Sequence, residues 1–558
     1  MPPDNSYIAG QFSLLAKVMD IHGENSFKSK SYSIAAYNIE NLPVQLSEVS
    51  RDRIFAFKGI GENIGKKIIE ILEKEELPQL TDLLQRTPPG VLDMLKIKGL
   101  GPKKISTIWK EMEIESLGEL LYACNENRLM LIKGFGDKTQ KNVQEAIEFF
   151  QKNQGIHLYA QVEQYARAID ARIKQAFTHN RFELSGDFRR QLEVINKLEW
   201  VTTASMESII GFFETLLFRV ECENEDDVTL KGPEGVSLQF HITDDNSFVA
   251  KLFETSASAE FLQYCRQLPG WFEVHNCFSE EQIFGALKLP YIPPPLREFT
   301  SVFQKPVPPT LIEHSDIKGL VHCHSDWSDG SHSIEELAEA CLALNLQYLV
   351  MSDHSKSAFY ANGLREDRIR EQHRYIDELN EKFSPFRIFK SIECDILSDG
   401  SLDYSNDVLA SFDLVIASIH SNLKMSEPKA TKRLLKAIEN PYTTILGHMT
   451  GRLLLSRNGY PVDYESIIQA CADNNVVIEL NANPRRLDMD WRWISHAAEK
   501  GVLISIDPDA HYIHGFDDLR YGVLSAQKGG LTKTGNLSSF TLREFEEFLL
   551  QRKKLKGI

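Results

Sequence analysis

The sequence holds eight cysteines, each on its own and none in a C-x-x-C pair, so neither a disulfide framework nor a cysteine zinc module is expected and a reducing cytoplasm is the simplest home. No stretch approaches the roughly 18 uninterrupted apolar residues of a membrane span. The start, MPPDNSYIAG, lacks a basic region followed by an apolar run, so no secretory signal is expected. Basic charge is not in excess either: 62 Lys and Arg against 79 Asp and Glu give −17, which argues against a surface coated in DNA-binding charge while leaving local basic elements open. Hydrophobic residues make up 42% and charged residues 25%, an ordinary globular mix, so collagen-like and largely disordered readings are out. The 558 residues suggest three or four domains at about 150 each. Of 16 histidines, 11 fall from His314 onward, and histidine is the commonest metal ligand and acid–base residue, so the chemistry is expected there.

The first ~150 residues read as helical and contain a repeat. FKGIGENIGKKIIEIL starts at Phe57, LKIKGLGPKKISTIWKEM at Leu95 and LIKGFGDKTQKNVQEAIEF at Leu131. Each sets G-h-G, with h apolar, between an apolar turn and an amphipathic helix: Gly59-Ile60-Gly61, Gly99-Leu100-Gly101 and Gly134-Phe135-Gly136. From about 155 to 300 the pattern is mixed α/β. FELSGDFRR reads as strand, tight turn and helix start, and RVECENEDDVTLKGPEGVSLQFHIT as strands between Gly/Pro turns. FQKPVPPT (303–310) reads as a linker. From about 315 onward, GLVHCH, YLVMSDH, FKSIECDIL, LVIASIHS, TTILGHM, VVIELNAN and VLISIDPDAH alternate with helical segments. That βα alternation implies parallel strands, and their polar residues stand at the C-terminal ends, where barrel-type folds build active sites.

Those ends supply His322 and His324, Asp329 in the next loop, Asp353-His354, Glu393, Asp395, His420, His448, Asp509 and His511. Spaced two apart, His322 and His324 point to one face of a strand, with Cys323 pointing away as packing. Imidazoles with carboxylates and no thiolate suit Zn²⁺, Mn²⁺ or Fe²⁺, and several ions together suit attack on a phosphorus. A single strand-end histidine is more often a hydrogen-bonded structural residue. Six of them with several acids, all after strands, are not explained that way. His314, His332, His373, His496 and His514 read as surface or packing residues.

The run VHCHSDWSDG…SDHS…IECDILSDGSLDY…ASIHSN…ILGHMTGR…ELNANPRRLD…IDPDAH resembles the PHP (polymerase and histidinol phosphatase) domain at the C-terminus of bacterial family X DNA polymerases, over nearly all of 315–558. The resemblance implies a distorted (β/α)7 barrel, a trinuclear metal centre and 3′–5′ exonuclease activity. By it, His322, His324, Glu393 and Asp509 would hold one ion, Asp329, His354 and His511 a second, and Glu393, His420 and His448 a third, with Glu393 bridging. Asp353 would orient His354 or the attacking water, and Arg452 and Arg486 would clamp phosphate oxygens; these three form the implied catalytic set. One departure is ILGHM, where the family usually has A-H-P.

The G-h-G elements resemble helix-hairpin-helix motifs, and the order of segments resembles the whole family X architecture. Their glycines let the backbone approach a phosphate, which the following helix N-terminus binds without reading sequence. Lys66, Lys67, Lys103, Lys104 and Lys138 sit near the helix starts. The resemblance aligns Lys67 with a lysine that can form a Schiff base with an abasic-site sugar. A solvated helix-face lysine is the plainer reading, since nucleophilic lysine needs a lowered pKa.

The middle region resembles the family's nucleotidyltransferase palm, whose signature is G-S-x-R-R, then D-x-D, then a third Asp. Here SGDFRRQLEVINKLEWVTT keeps Gly186, Arg189 and Arg190, but Asp187 replaces the serine, Lys197 and Glu199 replace the paired acids, and Gln239 replaces the third. ETSASAEF (254–261) lacks the glycine of the family's T-G-S. A lysine in a carboxylate's place sets a like charge in the ion's site, so template-directed synthesis is expected to be absent.

The sequence is therefore read as multidomain. An all-α helix-hairpin-helix N-terminus comprises a lyase-like 1–88 and a fingers-like 89–150. An α/β nucleotidyltransferase-like degenerate palm (151–235) and a thumb (236–300) follow, then a linker (301–314) and the distorted (β/α)7 PHP barrel (315–558). The expected activity is a cytoplasmic, DNA-repair 3′–5′ exonuclease or phosphodiesterase with three divalent ions (Zn, Mn or Fe). It would act as a monomer on 3′ ends or gaps of DNA, away from membranes. The competing readings are a small-molecule phosphomonoesterase, which has no need of DNA-gripping repeats; a non-catalytic repair scaffold, which would not keep a full ligand set; and a still active polymerase, which the missing acids oppose.

Overall fold

The computed structural model describes residues 3–40, 42, 44–57, 59–152, 155–233, 235–305, 308 and 310–558. Three linker positions, 306, 307 and 309, lie outside the described residues. The chain divides into two compact units, Met1–Asn125 with Leu129–Phe150, and Glu126–Arg128 with Gln151–Ile558. Among the described residues, no helix is long and apolar enough to cross a membrane.

The first unit is helical, with principal helices Asn5–His22, Ser26–Glu40, Glu62–Lys74, Pro78–Gln85, Pro102–Glu111, Leu117–Asn125 and Asp137–Lys152. Apolar residues at helical spacing form two cores, one around Phe12, Leu15, Ile68 and Ile71, the other around Ile105, Ile108, Leu120 and Ile147. In each G-h-G turn the apolar residue (Ile60, Leu100, Phe135) is buried, anchoring the turn. The first glycine takes φ of 87°, 93° and 95° at 59, 99 and 134, a region that favours glycine.

The second unit opens with a mixed sheet. β1 (His157–Leu158) pairs with β3 (Val194–Ile195). β2 (Phe182–Ser185), β4 (Lys197–Thr202), β5 (Arg219–Glu223), β6 (Asp227–Lys231) and β7 (Ser237–Ile242) form a five-stranded sheet in the order β2-β4-β7-β6-β5. Its core gathers Trp200, Phe213 and Phe240. A boundary at 235/236 cuts this sheet, because β7 pairs with both β4 and β6; the palm extends past Ile242, and the thumb is the helical cluster around Phe253, Phe261 and Phe284.

The rest is a βα barrel of parallel strands: β8 (Gly319–Cys323), β9 (Tyr348–Met351), β10 (Arg387–Lys390), β11 (Glu393–Asp395), β12 (Val415–Ser418), β13 (Thr443–Leu446), β14 (Val477–Asn481) and β15 (Ile504–Asp507). The order is β10-β9-β8 in one sheet and β11-β12-β13-β14-β15 in the other. Parallel bridges Cys323–Ala510 and His354–Glu393 join the two sheets into a ring. β10 and β11 are one strand interrupted at Ser391-Ile392, so the ring has seven staves and is the expected (β/α)7 barrel in distorted form. Side chains alternate along the staves. Leu320, Leu349, Ile388 and Ile478 belong to a core with the outer helices, while Val321, Val350, Phe389, Ile416, Ile445 and Val477 belong to a second core. The last helix, Leu542–Lys556, adds Phe545 and Leu549 to that second core. Apolar packing thus fills one end of the barrel, and the polar strand ends converge at the other.

Candidate metal centre

His322 and His324 do not meet by strand alternation. The register of β8 against β9 shifts between Leu320 and Cys323, and His322 takes the left-handed φ of 60°. The bulge re-aims His322, and both rings still reach the barrel mouth, with centroids 5.3 Å apart. Asp509, on the loop after β15, is likewise left-handed at φ 52°. Two non-glycine residues in this region, both at one site, mark backbone strain held by the surrounding fold.

All nine candidate ligand positions come together. Glu393 is at the middle: its Oε1 lies 2.9 Å from His448 Nε2, 3.0 Å from His420 Nε2 and 3.4 Å from His322 Nε2, and its Oε2 lies 2.8 Å from His354 Nδ1 and 3.8 Å from His324 Nε2. Asp509 Oδ1 is 3.0 Å from His324 Nε2 and 3.5 Å from His322 Nε2. Asp329 faces His354 and His511, each at 3.5 Å. Three sets of donor atoms are each compact enough for one ion: His322, His324 and Asp509; His324, Asp329, His354 and His511; and His354, Glu393 and His420. His324 and His354 therefore each stand between two sets, a sharing that the expected partition did not include.

Electrostatics and orientation both fit divalent cations. Burial opposes ionisation of Glu393, yet His420, His322 and His354 outweigh it and hold the carboxyl well below its usual range. Asp509 is held low against burial chiefly by His322 and a hydrogen bond from His324. Burial would lower His511, but Asp329 raises it to about 10; burial and the neighbouring His511 and His354 push His324 down to about 4. Three histidines are anchored through Nδ1: His322 to Glu479, His420 to Asp395, and His511 to the Asp509 carbonyl. Such anchoring leaves Nε2 as the free donor atom. His322 Nε2, His324 Nδ1, Asp329 Oδ2, Glu393 Oε2 and His511 Nε2 are buried without hydrogen-bond partners, the pattern of a donor set built for ions.

Glu479 and Asp395 are the anchoring acids. Glu479 reads in the sequence only as part of the strand VVIELNAN; a carboxylate inside an otherwise apolar barrel strand is the signal that marks it. Asp353 does not orient His354: it accepts hydrogen bonds from Ser325 N–H, the Ser325 and Ser328 hydroxyls and Gln372, and so ties down the loop that carries Asp329. Arg452 does not face the centre. It donates to the Arg486 and Leu487 carbonyls, to Asp490 at 2.8 Å and to Glu193 at 2.7 Å, which leaves no free fork for phosphate. Arg486 is buried, with Nε 3.9 Å from Asp509 Oδ2, and remains beside the centre.

In the helical unit, Gly59, Gly61, Gly99, Gly101, Gly134 and Gly136 are exposed, as are Lys103 and Lys138. Their helices do not start alike. Glu62 and Asp137 stand in the first turns of the first and third, where a carboxylate competes with phosphate, whereas Pro102–Glu111 has no acid in its first turn. The solvated reading does not describe Lys67. It is half-buried, its ammonium lies 5.9 Å from the Tyr32 ring centroid, and burial, reinforced by Lys28 though opposed by Glu70, lowers its pKa.

In the palm, β4 and β7 set Lys197, Glu199 and Gln239 on one face, Glu199 directly paired with Gln239. Lys197 donates to Gln239 and lies 3.6 Å from Glu199, which also meets His241 at 3.0 Å. Arg189 forks onto Glu280, and Arg190 meets Asp187 and Glu298. The arginines are thus held by Glu280, Asp187 and Glu298, while the acid positions meet one another and His241.

Three domain families match the chain: a helix-hairpin-helix domain over residues 3–77, a SAM-like helix-hairpin-helix tandem over 91–148 and a PHP domain over 321–483. The chain is 33% identical to the DNA polymerase/3′-5′ exonuclease PolX of Bacillus subtilis (strain 168), over 96% of this chain and 97% of that protein. The chain belongs to the PolX family. The chain also matches a probable phosphatase of Thermoanaerobacter sp. (strain X514), 26% identical over 42% of this chain and 96% of that protein. With PolX membership, a PHP domain and a buried His/Asp/Glu cluster, the barrel mouth is a divalent-metal site on a metal-dependent hydrolase fold.

Proposed function

We propose that the chain is a DNA-binding, divalent-metal-dependent 3′–5′ exonuclease acting in DNA repair through its PHP barrel, beside a polymerase core that no longer synthesises DNA. The position of Glu393, met by five imidazoles in a chain that also carries helix-hairpin-helix repeats, supports this reading. Three ions (Zn, Mn or Fe) are proposed: one with His322, His324 and Asp509, one with Asp329, His354 and His511, and one with His420 and His448, with Glu393 shared. When bound, such ions supply Lewis acidity towards water and phosphate oxygens.

The residues do the rest. Glu393 stays ionised and offers oxygens to both sides of the centre. His322, His420 and His511 are held with one nitrogen inward, and Asp353 keeps Asp329 in reach by fixing its loop. Arg486 adds positive charge beside Asp509. In the reaction, a water oxygen bonds to the terminal phosphorus and the bond to the preceding nucleotide's 3′ oxygen breaks. That oxygen takes a proton, and a nucleoside 5′-monophosphate leaves. The hairpins grip the DNA backbone without reading sequence. A palm whose acid positions hold a lysine and a glutamine cannot carry two Mg²⁺, which supports the loss of synthesis. We place the protein in the cytoplasm, a compartment that suits cysteines none of which stands in a C-x-x-C pair, as a monomer working on 3′ ends or gaps.

A 5′-labelled primer on a template, with Mn²⁺ or Zn²⁺ and with or without dNTPs, tests the reading. The wild type shortens the primer, His322→Ala/His324→Ala does not, and neither extends it. Primer lengthening would overturn the silent palm. The likeness of the chain to probable phosphatases favours one second reading, a phosphomonoesterase, which predicts a higher kcat/KM on p-nitrophenyl phosphate than on DNA.

A further inference from the structure

The palm has lost its acids, yet a carboxylate three residues beyond its retained arginine pair faces the barrel. Glu193 follows the turn after Arg190, and its carbonyl accepts the Tyr159 N–H at 3.0 Å. Its Oε1 accepts from Arg452 Nη2 at 2.7 Å, the two side chains being only 10% and 12% exposed. The rest of the Arg452 fork serves the loop after β14. Nε donates to the Arg486 carbonyl at 2.9 Å, Nη2 to the Leu487 carbonyl and Nη1 to Asp490 at 2.8 Å. Arg486 in turn holds its Nε 3.9 Å from Asp509 Oδ2. A continuous path of contacts therefore runs from the palm to a candidate ligand. The backbone is strained at the same joint: Gln191 on the palm side and Leu487 on the barrel side take left-handed φ of 59° and 42°. A bulky residue such as Leu487 keeps that conformation only where its neighbours over-determine it. Gln191 to Glu193 and the loop residues Pro484 and Leu487 line one gap of about 10 Å³, so the two sides pack closely.

We propose that Glu193 of the palm is a positioning residue of the barrel's metal centre: by fixing the Arg452 guanidinium it holds the strained Arg486–Leu487 backbone, and so keeps the Arg486 side chain beside Asp509. The proposal rests on the phosphodiesterase reading, in which Arg486 supplies positive charge next to the ions. Without Glu193, Arg452 still has Asp490 and two carbonyls, all of them on the loop after β14. The fork then loses the acceptor that ties it to the palm. Two further ties between palm and barrel, Lys528 to the Arg190 carbonyl at 2.9 Å and Gln191 to Gln527 at 3.1 Å, stand on the helix Leu519–Lys528 and remain. The fold is thus kept while the loop that carries Arg486 is released. A misplacement of about 1 Å in a reacting site can cost about a hundredfold in rate.

Glu193→Ala and Glu193→Gln are made in the full chain, each alone and together with Arg486→Ala. Bound metal is measured by mass spectrometry, and kcat and KM on a 5′-labelled single strand. Glu193→Ala is expected to keep its metal, to lose about tenfold to a hundredfold in kcat, and to leave KM within about twofold of wild type. Glu193→Gln, whose amide oxygen still accepts from Arg452, should stay within about threefold in kcat. In the Arg486→Ala background Glu193→Ala should cost nothing further, because the two residues act as one unit. A kcat for Glu193→Ala within threefold of wild type would overturn the proposal. So would an equal loss in both backgrounds, the mark of a general loosening of the fold, and so would loss of a metal ion. Should the alanine variant fail to fold, Glu193→Asp, with its carboxylate drawn back by one methylene, takes its place in the same cycle. A wild type that leaves DNA intact would sink the exonuclease reading alone, and the cycle run on bis(p-nitrophenyl) phosphate then decides the role of Glu193.

Discussion

Glu479 accepts the Nδ1–H of His322 at 2.5 Å, with both side chains fully buried in the barrel. Its other oxygen accepts the backbone N–H of His448 at 3.1 Å and the Asn481 amide at 3.0 Å, so one acid fixes two candidate ligands on different staves. Glu479→Gln is expected to weaken metal binding about tenfold to a hundredfold, the usual effect of losing a carboxylate behind a ligating histidine. Competition with a chromophoric chelator measures it. Wild-type affinity in the variant would mean that the bulge alone orients His322.

What could be read from the sequence was whatever repeats or ends a strand. Six histidines and three acids stood after short apolar runs, and three G-h-G turns stood before amphipathic helices, so both the barrel mouth and the hairpins were legible. Partners across space were not. Arg452 carries the charge of a phosphate clamp, but its acceptors, Glu193 and Asp490, are 259 and 38 residues away in sequence. Glu479 is hidden by an apolar strand pattern, because the inward face of a stave changes from packing at Val477 to polar at Glu479 within one alternation. The bulge at His322 and the place of β7 beside β4 both depend on which strand is the neighbour, which local pattern does not specify.

Arg452 joins the loop after β13 to Glu193, which precedes β3, and its removal takes the salt-bridge partner from the buried Glu193, while Asp490 keeps Arg492 at 2.9 Å. Arg452→Ala is expected to destabilise the second unit by about 3–5 kcal/mol, with KM for DNA unchanged. Urea unfolding and steady-state kinetics check the two halves of this statement. A raised KM with unaltered stability would return Arg452 to the role of phosphate clamp.

Among the three hairpins, the second is expected to contribute most to DNA affinity, because its helix begins without an acid and Lys103 is exposed beside Gly101. Lys103→Glu should weaken binding to duplex DNA more than Lys138→Glu, where Asp137 already stands at the helix start. Fluorescence anisotropy at several salt concentrations measures both, and the steeper salt dependence of the wild type should diminish most in the Lys103 variant. Equal losses would mean that the first-turn acids do not rank the hairpins.

Glu280 lies between two arginines, with Arg297 at 2.7 and 3.1 Å and Arg189 at 2.8 and 2.9 Å, and joins the thumb to the palm. Burial opposes its ionisation, but Arg297 and Arg189 outweigh that and hold its pKa down to about 2 from an ordinary 4.5. Because the folded-state pKa is depressed, the stabilisation is fully present above the unfolded value near 4.5 and is lost as pH falls through about 2. At about 1.4 kcal/mol per pH unit this amounts to about 3 kcal/mol at neutral pH. Glu280→Gln should remove that amount at pH 7 and progressively less below pH 4.5, the two proteins converging near pH 2. Denaturant midpoints across this range decide it, and a gap that stays constant with pH would show that Glu280 acts through shape and hydrogen bonding rather than through its charge.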